Sequence, residues 1–220
     1  MKTLLVTAAC LAAATAAQAQ VKVGLGPLVG TTLATVSSSR SGEYAYRFGV
    51  VAGAQADLSW GRFSLQPALT YAQLNSTANF TSRGYLTVAY TEQQRLSYLT
   101  LSLPVAFSLT GTATGPQVFA GPYAGLLLGG RRQGYTLPTD VRVADQVELT
   151  TESGEAARRL DAGLQAGVGF RLERLLLRAS YNLGLRSTEP TYTLGGVPVA
   201  ASDTYNRSFQ ASASYLFSLR

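Results

Sequence analysis

The chain has 220 residues and a formal charge of +6, from 18 Lys plus Arg against 12 Asp plus Glu, with one cysteine and no histidine. Without histidine there is no Ser-His-Asp triad, no His-bearing metal site and no imidazole proton shuttle. With Cys10 in a segment that reads as an export signal, a disulfide framework, a thiolate zinc site and a cysteine nucleophile are excluded from the mature chain as well.

The chain opens MKTLLVTAACLAAATAAQAQ. Lys2 supplies a positive start, residues 4–17 an apolar run too short to span a bilayer, and Ala17-Gln18-Ala19 an A-x-A cleavage site. The expectation is a signal peptide at 1–19 and one domain at 20–220. Thr7 stands where a lipoprotein signal prefers a bulky apolar residue, so Cys10 is not read as a lipidation site. Past the signal no apolar run is long enough for a membrane helix, and a mature chain in a membrane would cross it as strands.

Eight strand candidates follow in chain order. The first runs from Val21 to about Val36 and leads through SSSRSGEY to the second, 46–58. The tight SWGR turn opens the third, 63–74. The long connection NSTANFTSRGYLTVAYTEQQ precedes the fourth, 96–109, and GTATGP turns the chain into the fifth, 117–130. The longest connection, 131–157, is followed by the sixth and seventh strands, about 160–170 and 175–185, and a loop from Ser187 leads to the eighth, 205–219. Turn-forming Gly, Ser, Pro and Asn sit at the breaks. Long connections follow the odd-numbered strands and short turns the even ones. That asymmetry belongs to an up-and-down barrel with short periplasmic turns and long outer loops.

Strict alternation sets the faces. Leu99, Leu101, Leu103, Val105, Phe107 and Leu109 share one side of the fourth strand. Tyr98, Thr100, Ser102, Pro104, Ala106 and Ser108 share the other. Leu160, Ala162, Leu164, Ala166, Val168 and Phe170 alternate with Asp161, Gly163, Gln165, Gly167 and Gly169. Were the apolar faces interior, as in a lipocalin-like barrel, the outside would be Ser, Gly and Thr with few charges, unlike a soluble surface. The expected fold is all-β: an eight-stranded antiparallel up-and-down transmembrane β-barrel whose apolar stripes meet lipid. Two aromatic belts are expected, Trp60, Phe63, Phe107, Phe119, Phe170 and Phe217 at the short-turn end and Tyr46, Tyr71, Tyr98, Tyr135 and Tyr205 at the loop end.

From the fourth strand on, SYLTLSLPVAFSLTG, VFAGPYAGLLLGG, RLDAGLQAGVGFRL, LLLRASYNLGL and SFQASASYLF resemble the PorT-like outer-membrane β-barrel proteins of Bacteroidetes. The resemblance covers the mature chain in layout and is most specific from Tyr98 to Leu185. It implies an eight-stranded barrel in the outer membrane. Some members of that family are linked to type IX secretion or gliding and most have no assigned role, and the long loops match no particular member.

Strand parity points Arg47, Gln55, Asp57, Gln66, Asp161, Gln165, Arg178, Asn182 and Gln210 into the lumen, where eight strands leave room that side chains can just fill. Buried Asp57 and Asp161 each require an arginine or several donors. These groups form either a plug of ion pairs or a polar relay through a narrow passive pore. Pro104 interrupts a strand in a fold without edges. A turn centred on Ala113 sets it opposite Pro122, with a missing bond or bulge toward the outer neighbours, strands three and six.

The outer loops carry Asp140, Asp145, Glu148, Glu152 and Glu155, and VRVADQVELTT and GYLTVAY alternate enough to extend the strands above the membrane. These acidic residues are binding candidates for envelope or secretion proteins, or else a solvated face. A lipid-modifying barrel enzyme is the lesser alternative, since no serine has a histidine to activate it. No cofactor or metal is expected. Outer-membrane lipids are expected partners, and arginines at strand ends suit their anionic headgroups. No basic block with interleaved aromatics suggests nucleic acid. The sequence leaves the oligomeric state open.

Overall fold

The computed structural model describes residues 21–39, 42–83, 87–110, 114–137, 141–146, 160–188, 192–194, 197–199 and 203–219. The expected signal peptide lies outside them. The strands are β1 (Lys22–Ser38), β2 (Glu43–Trp60), β3 (Phe63–Leu65), β4 (Ala68–Arg83), β5 (Thr87–Ser102), β6 (Val105–Ser108), β7 (Gly115–Leu137), β8 (Val141–Gln146), β9 (Leu160–Leu172), β10 (Leu175–Gly184), β11 (Tyr192–Leu194), β12 (Val197–Val199), β13 (Thr204–Tyr215) and β14 (Phe217–Leu219).

Twelve of these form one sheet, and among the described residues β11 pairs with β12 in a separate two-stranded one. Three pairs of strands are single crossings interrupted in mid-course: β3 and β4 at Gln66-Pro67, β5 and β6 at Leu103-Pro104, β13 and β14 at Leu216. With those joined, eight staves follow one another antiparallel: β1, β2, β3/β4, β5/β6, β7, β9, β10 and β13/β14. The last pairs back onto β1 from Ser38↔Thr204 to Val23↔Leu219, which closes the ring. Closure removes the free edges, which hydrocarbon leaves unsatisfied and which in water invite edge-to-edge association. β8 stands outside the ring as a hairpin extension of β7.

The polarity of the wall follows the sequence alternation. Leu101, Leu164 and Leu177 are 46%, 50% and 42% exposed, while Gln55, Gln66 and Leu176 are wholly buried. Val29, Leu69, Val105, Val168, Phe209 and Phe217 continue the exposed apolar surface around the ring. A girdle of this extent is unfavourable in water and is matched by hydrocarbon.

Two belt residues belong inside instead. Tyr98 and Phe119 are buried, because each sits on the lumen-facing parity of its strand. Trp60, Phe63, Phe170 and Phe217 at the short-turn end, and Tyr46 and Tyr71 toward the other, are exposed as expected.

The strands extend farther than the amphipathic pattern reaches. Residues 75–83 and 87–95, read from sequence as a connection, pair continuously from Asn75↔Arg95 to Arg83↔Thr87. Beyond the hydrocarbon neither face needs to be apolar, so the alternation fades while the backbone ladder persists. The proposed extension through VRVADQ is present as β8, paired with β7 from Arg131↔Gln146 to Thr136↔Val141.

Pro104 lies one place away from its expected position. Ser102 pairs with Tyr123 and Val105 with Ala120, which sets Pro104 against Gly121 rather than Pro122. The β7 backbone passes so close that a Cβ on Gly121 would lie 2.5 Å from the Pro104 Cα. The ladder is interrupted toward stave three, where Gln66 N still donates to Pro104 O at 2.9 Å while the proline returns nothing. Toward stave six it is intact, with Pro122 opposite Leu164.

Candidate functional site

The site is the lumen, where side chains from opposing staves meet in two networks. The lower one lies near the short turns. Alternation along β2 carries Gln55, Asp57 and Ser59 inward, and β3 with the residue after it brings Ser64 and Gln66. Arg171, at the end of β9, reaches across so that its Nη1 donates to Asp57 Oδ2 at 2.6 Å. The same carboxylate accepts from Ser59 Oγ at 2.5 Å and from Gln66 Nε2 at 3.1 Å. Gln66 Nε2 also reaches Ser64 Oγ at 2.9 Å and Gln117 Oε1 at 3.3 Å, and Arg171 Nη1 reaches Ser59 Oγ at 3.2 Å. Nearby, Ser214 Oγ donates to Gln55 Oε1 at 2.8 Å, binding the eighth stave to the second.

Asp57 thus finds both an arginine and several donors, as a buried carboxylate must. The arginine that serves it was missed from sequence. Arg171 shares the parity of Asp161, Gln165 and Gly169, and that signal was sufficient, but the adjoining Leu172-Glu173-Arg174 reads as a charged turn.

The upper network centres on Asp161. Asn206 Nδ2 donates to Asp161 Oδ2 at 2.9 Å and Tyr123 OH to the same oxygen at 3.4 Å. Asn206 Nδ2 also stands 3.4 Å from Tyr98 OH. The carboxylate is therefore held by neutral donors. Asn182 Nδ2 donates to Ser208 Oγ at 3.1 Å beside it.

Against the upper network lies a cavity of about 40 Å³, lined among others by Thr70, Tyr98, Asp161, Gln165, Arg178 and Gln210. Asp161 Oδ1, Gln165 Nε2 and Arg178 Nε have no hydrogen-bond partner among the described residues. A polar space of this size accommodates a few waters and no larger solute. The Arg178 guanidinium lies 3.8 Å over the Phe119 ring, a stacking that offsets part of its burial.

Of the lumen candidates, Asp57, Asp161, Gln165 and Arg178 are buried, and Asn182 and Gln210 line the cavity half-buried. Arg47 does not belong with them. The register against β4 shifts between Arg47 and Val51, and the bulge swings Arg47 to the rim, where it is exposed and its Nε donates to Thr77 Oγ1 at 2.8 Å. Among the loop candidates, Asp145 falls on β8, with its backbone opposite Arg132. Asp140, Glu148, Glu152 and Glu155 lie outside the described residues.

The fold is similar to several solved structures. Neisserial surface protein A has 12% identity over 88% of this chain and 97% of its own, with a TM-score of 0.43. The outer membrane protein OprG of Pseudomonas aeruginosa has 13% identity over 89% and 97%, with a TM-score of 0.38. The outer membrane protease OmpT of Escherichia coli has 9% identity over 90% and 96%, with a TM-score of 0.37. No protein with a curated description matches the chain. The family model for the outer membrane protein beta-barrel domain matches residues 16–189, and with a closed ring, an apolar girdle and a polar lumen the chain belongs to that outer-membrane family.

Proposed function

We propose that the protein is a non-enzymatic outer-membrane barrel of the PorT-like type found in Bacteroidetes, with a structural or accessory role in secretion or envelope assembly. Its leading segment directs export. The short turns face the periplasm, the long hairpins face outward, and partners are engaged by the hairpins rather than by the lumen.

The observation that carries this reading is the filled interior. Asp57 and Arg171 join opposed walls at 2.6 Å, and the cavity lined by the Asp161 network is about 40 Å³. A passive pore needs a continuous polar path, and a catalyst needs a cleft open to substrate. The absence of histidine from the whole chain weighs against the hydrolytic and acyl-transfer chemistries that depend on it.

Reconstitution in planar bilayers tests the reading. The expected result is conductance close to that of protein-free membrane. A steady ohmic conductance would favour a narrow passive pore, and turnover of labelled phospholipid or lipopolysaccharide by the purified protein would favour an enzyme.

A further inference from the structure

Toward the long-loop end the outer wall changes character. One cross-strand row runs Arg47↔Asn75↔Arg95↔Arg131 over β2, β4, β5 and β7. Its Asn75, Arg95 and Arg131 lie on the face that carries Tyr71 and Leu99, because Leu96 and Tyr98 on the alternate positions of β5 are buried in the lumen. The row below is Gln73↔Ser97, and Tyr71, opposite Leu99 one row further down, reaches up to it with its hydroxyl 2.9 Å from Ser97 Oγ and 3.1 Å from Gln73 Nε2. Apolar wall, tyrosine hydroxyl and arginine therefore succeed one another within four residues of β5, a rise of about 13 Å. That is the order of hydrocarbon, interface and headgroup.

Two bulges build the row. Leu128 has no partner across from β5, since Tyr98 pairs with Leu127 and Ser97 with Gly129, and this extra residue brings Arg131 onto the outer face. The shift between Arg47 and Val51 sets Arg47 opposite Asn75 in this row, while toward β1 it stays opposite the buried Ala34, so its exposed guanidinium stands at the rim. Arg95 and Arg131 then stand directly opposite each other, an arrangement that repels without an anion between them. Neither has a carboxylate partner among the side chains described. The three guanidiniums border an open cavity of about 540 Å³, whose other walls include Thr77, Gln93 and Gln133.

Phe48, 72% exposed, belongs to this cavity and also to a second one of about 450 Å³ on the neighbouring wall, which is floored by Ala166, Ala179 and Ala211. A guanidinium cluster for phosphate thus adjoins an apolar groove for a hydrocarbon chain, and joined head and tail describe a lipid rather than free phosphate.

We infer that Arg47, Arg95 and Arg131 form a site on the outer wall for the phosphate of a phosphorylated glycolipid of the outer leaflet, with an acyl chain laid past Phe48. The leaflet rests on the orientation given above. Planar guanidinium donors suit phosphate in bidentate geometry.

The full chain is purified in detergent and bound lipid is measured by native mass spectrometry against diphosphoryl lipid A, its dephosphorylated form, phosphatidylglycerol and inorganic phosphate. The expected result is preferential retention of diphosphoryl lipid A and a loss of about tenfold per arginine in Arg47→Gln, Arg95→Gln and Arg131→Gln. Arg62→Gln and Arg174→Gln, at the opposite end, leave binding unchanged. Heat-modifiable migration shows that each variant is folded, and Arg95→Lys with Arg131→Lys keeps charge while losing the fork, so partial loss is expected there. Equal retention by the triple Gln variant, or of dephosphorylated lipid A, overturns the site. Equal retention of phosphatidylglycerol, or displacement by millimolar inorganic phosphate, overturns the glycolipid assignment. Orientation is read separately from an epitope inserted at Ser39, which is expected to be reachable on intact cells. An unreachable epitope overturns the outer-leaflet assignment whatever the purified protein binds.

Discussion

Arg171 Nη1 lies 2.6 Å from Asp57 Oδ2, and the two residues stand on the sixth and second of eight staves, on opposite sides of the ring. An ion pair therefore spans the lumen at its lower end. Asp57 is 1% exposed and the arginine side chain 14%, so neither charge is well hydrated once its partner is gone. Asp57→Asn and Arg171→Gln are each expected to destabilise the folded barrel by about 3 kcal/mol, with the double variant losing less than the sum. Urea unfolding in lipid vesicles measures this, and additive losses would show that the pair is not coupled.

Glu173 holds φ of 46° in the two-residue turn between β9 and β10, a conformation that costs a residue with a side chain about 1 kcal/mol. Its side chain is exposed, and the contact that uses Glu173 is to its backbone, whose carbonyl accepts from Arg171 Nε at 3.3 Å. Glu173→Gly or Glu173→Asn should therefore raise the unfolding midpoint. A lowered midpoint would mean that the carboxylate contributes something beyond the turn.

Gly26 sits where β1 passes the break between β13 and β14. A Cβ there would lie 1.6 Å from the Tyr215 carbonyl oxygen and 3.2 Å from the Leu216 Cα, both backbone atoms that cannot swing away. Gly26→Val is expected to prevent ring closure and abolish heat-modifiable migration. Gly61→Ala, where nothing lies within 4 Å of the added carbon, is expected to fold with a modest loss from its positive φ.

The β7–β8 hairpin stands on the barrel without belonging to its ring. Among the described residues β9 meets β7 as far as Leu126, and from Arg131 to Thr136 β8 lies beside β7. Deletion of residues 134–154 should leave a barrel that still shifts on heating, and should abolish capture of any partner that binds through the hairpin. Loss of heat-modifiability would show that the hairpin is needed for the wall to form.

The period-two pattern carried the fold, because a wall with lipid on one side and a packed polar lumen on the other forces alternation at every crossing. It also placed Gln55, Asp57, Gln66, Asp161, Gln165 and Arg178 inside. Register was harder to read. Pro104 met Gly121 because the offset of a hairpin depends on turn geometry, which composition does not specify. Arg131 owes its outward position, and Arg47 its place at the rim, to register shifts, and an extra residue in one strand leaves no mark in a local window. Residues 75–95 carried little signal for the opposite reason: above the lipid the ladder continues with nothing to make one face apolar.

The claim on which the rest depends is that the apolar stripes face hydrocarbon. Spin labels at Leu101, Leu164 and Leu177, compared with labels at Thr100 and Gln210 on the lumen cavity, test it in reconstituted protein carrying Cys10→Ser. The account predicts high collision rates with dissolved oxygen and low rates with a water-soluble nickel chelate at the three leucines, and low rates with both at Thr100 and Gln210. Leucine sites that collide with the chelate and not with oxygen would contradict it.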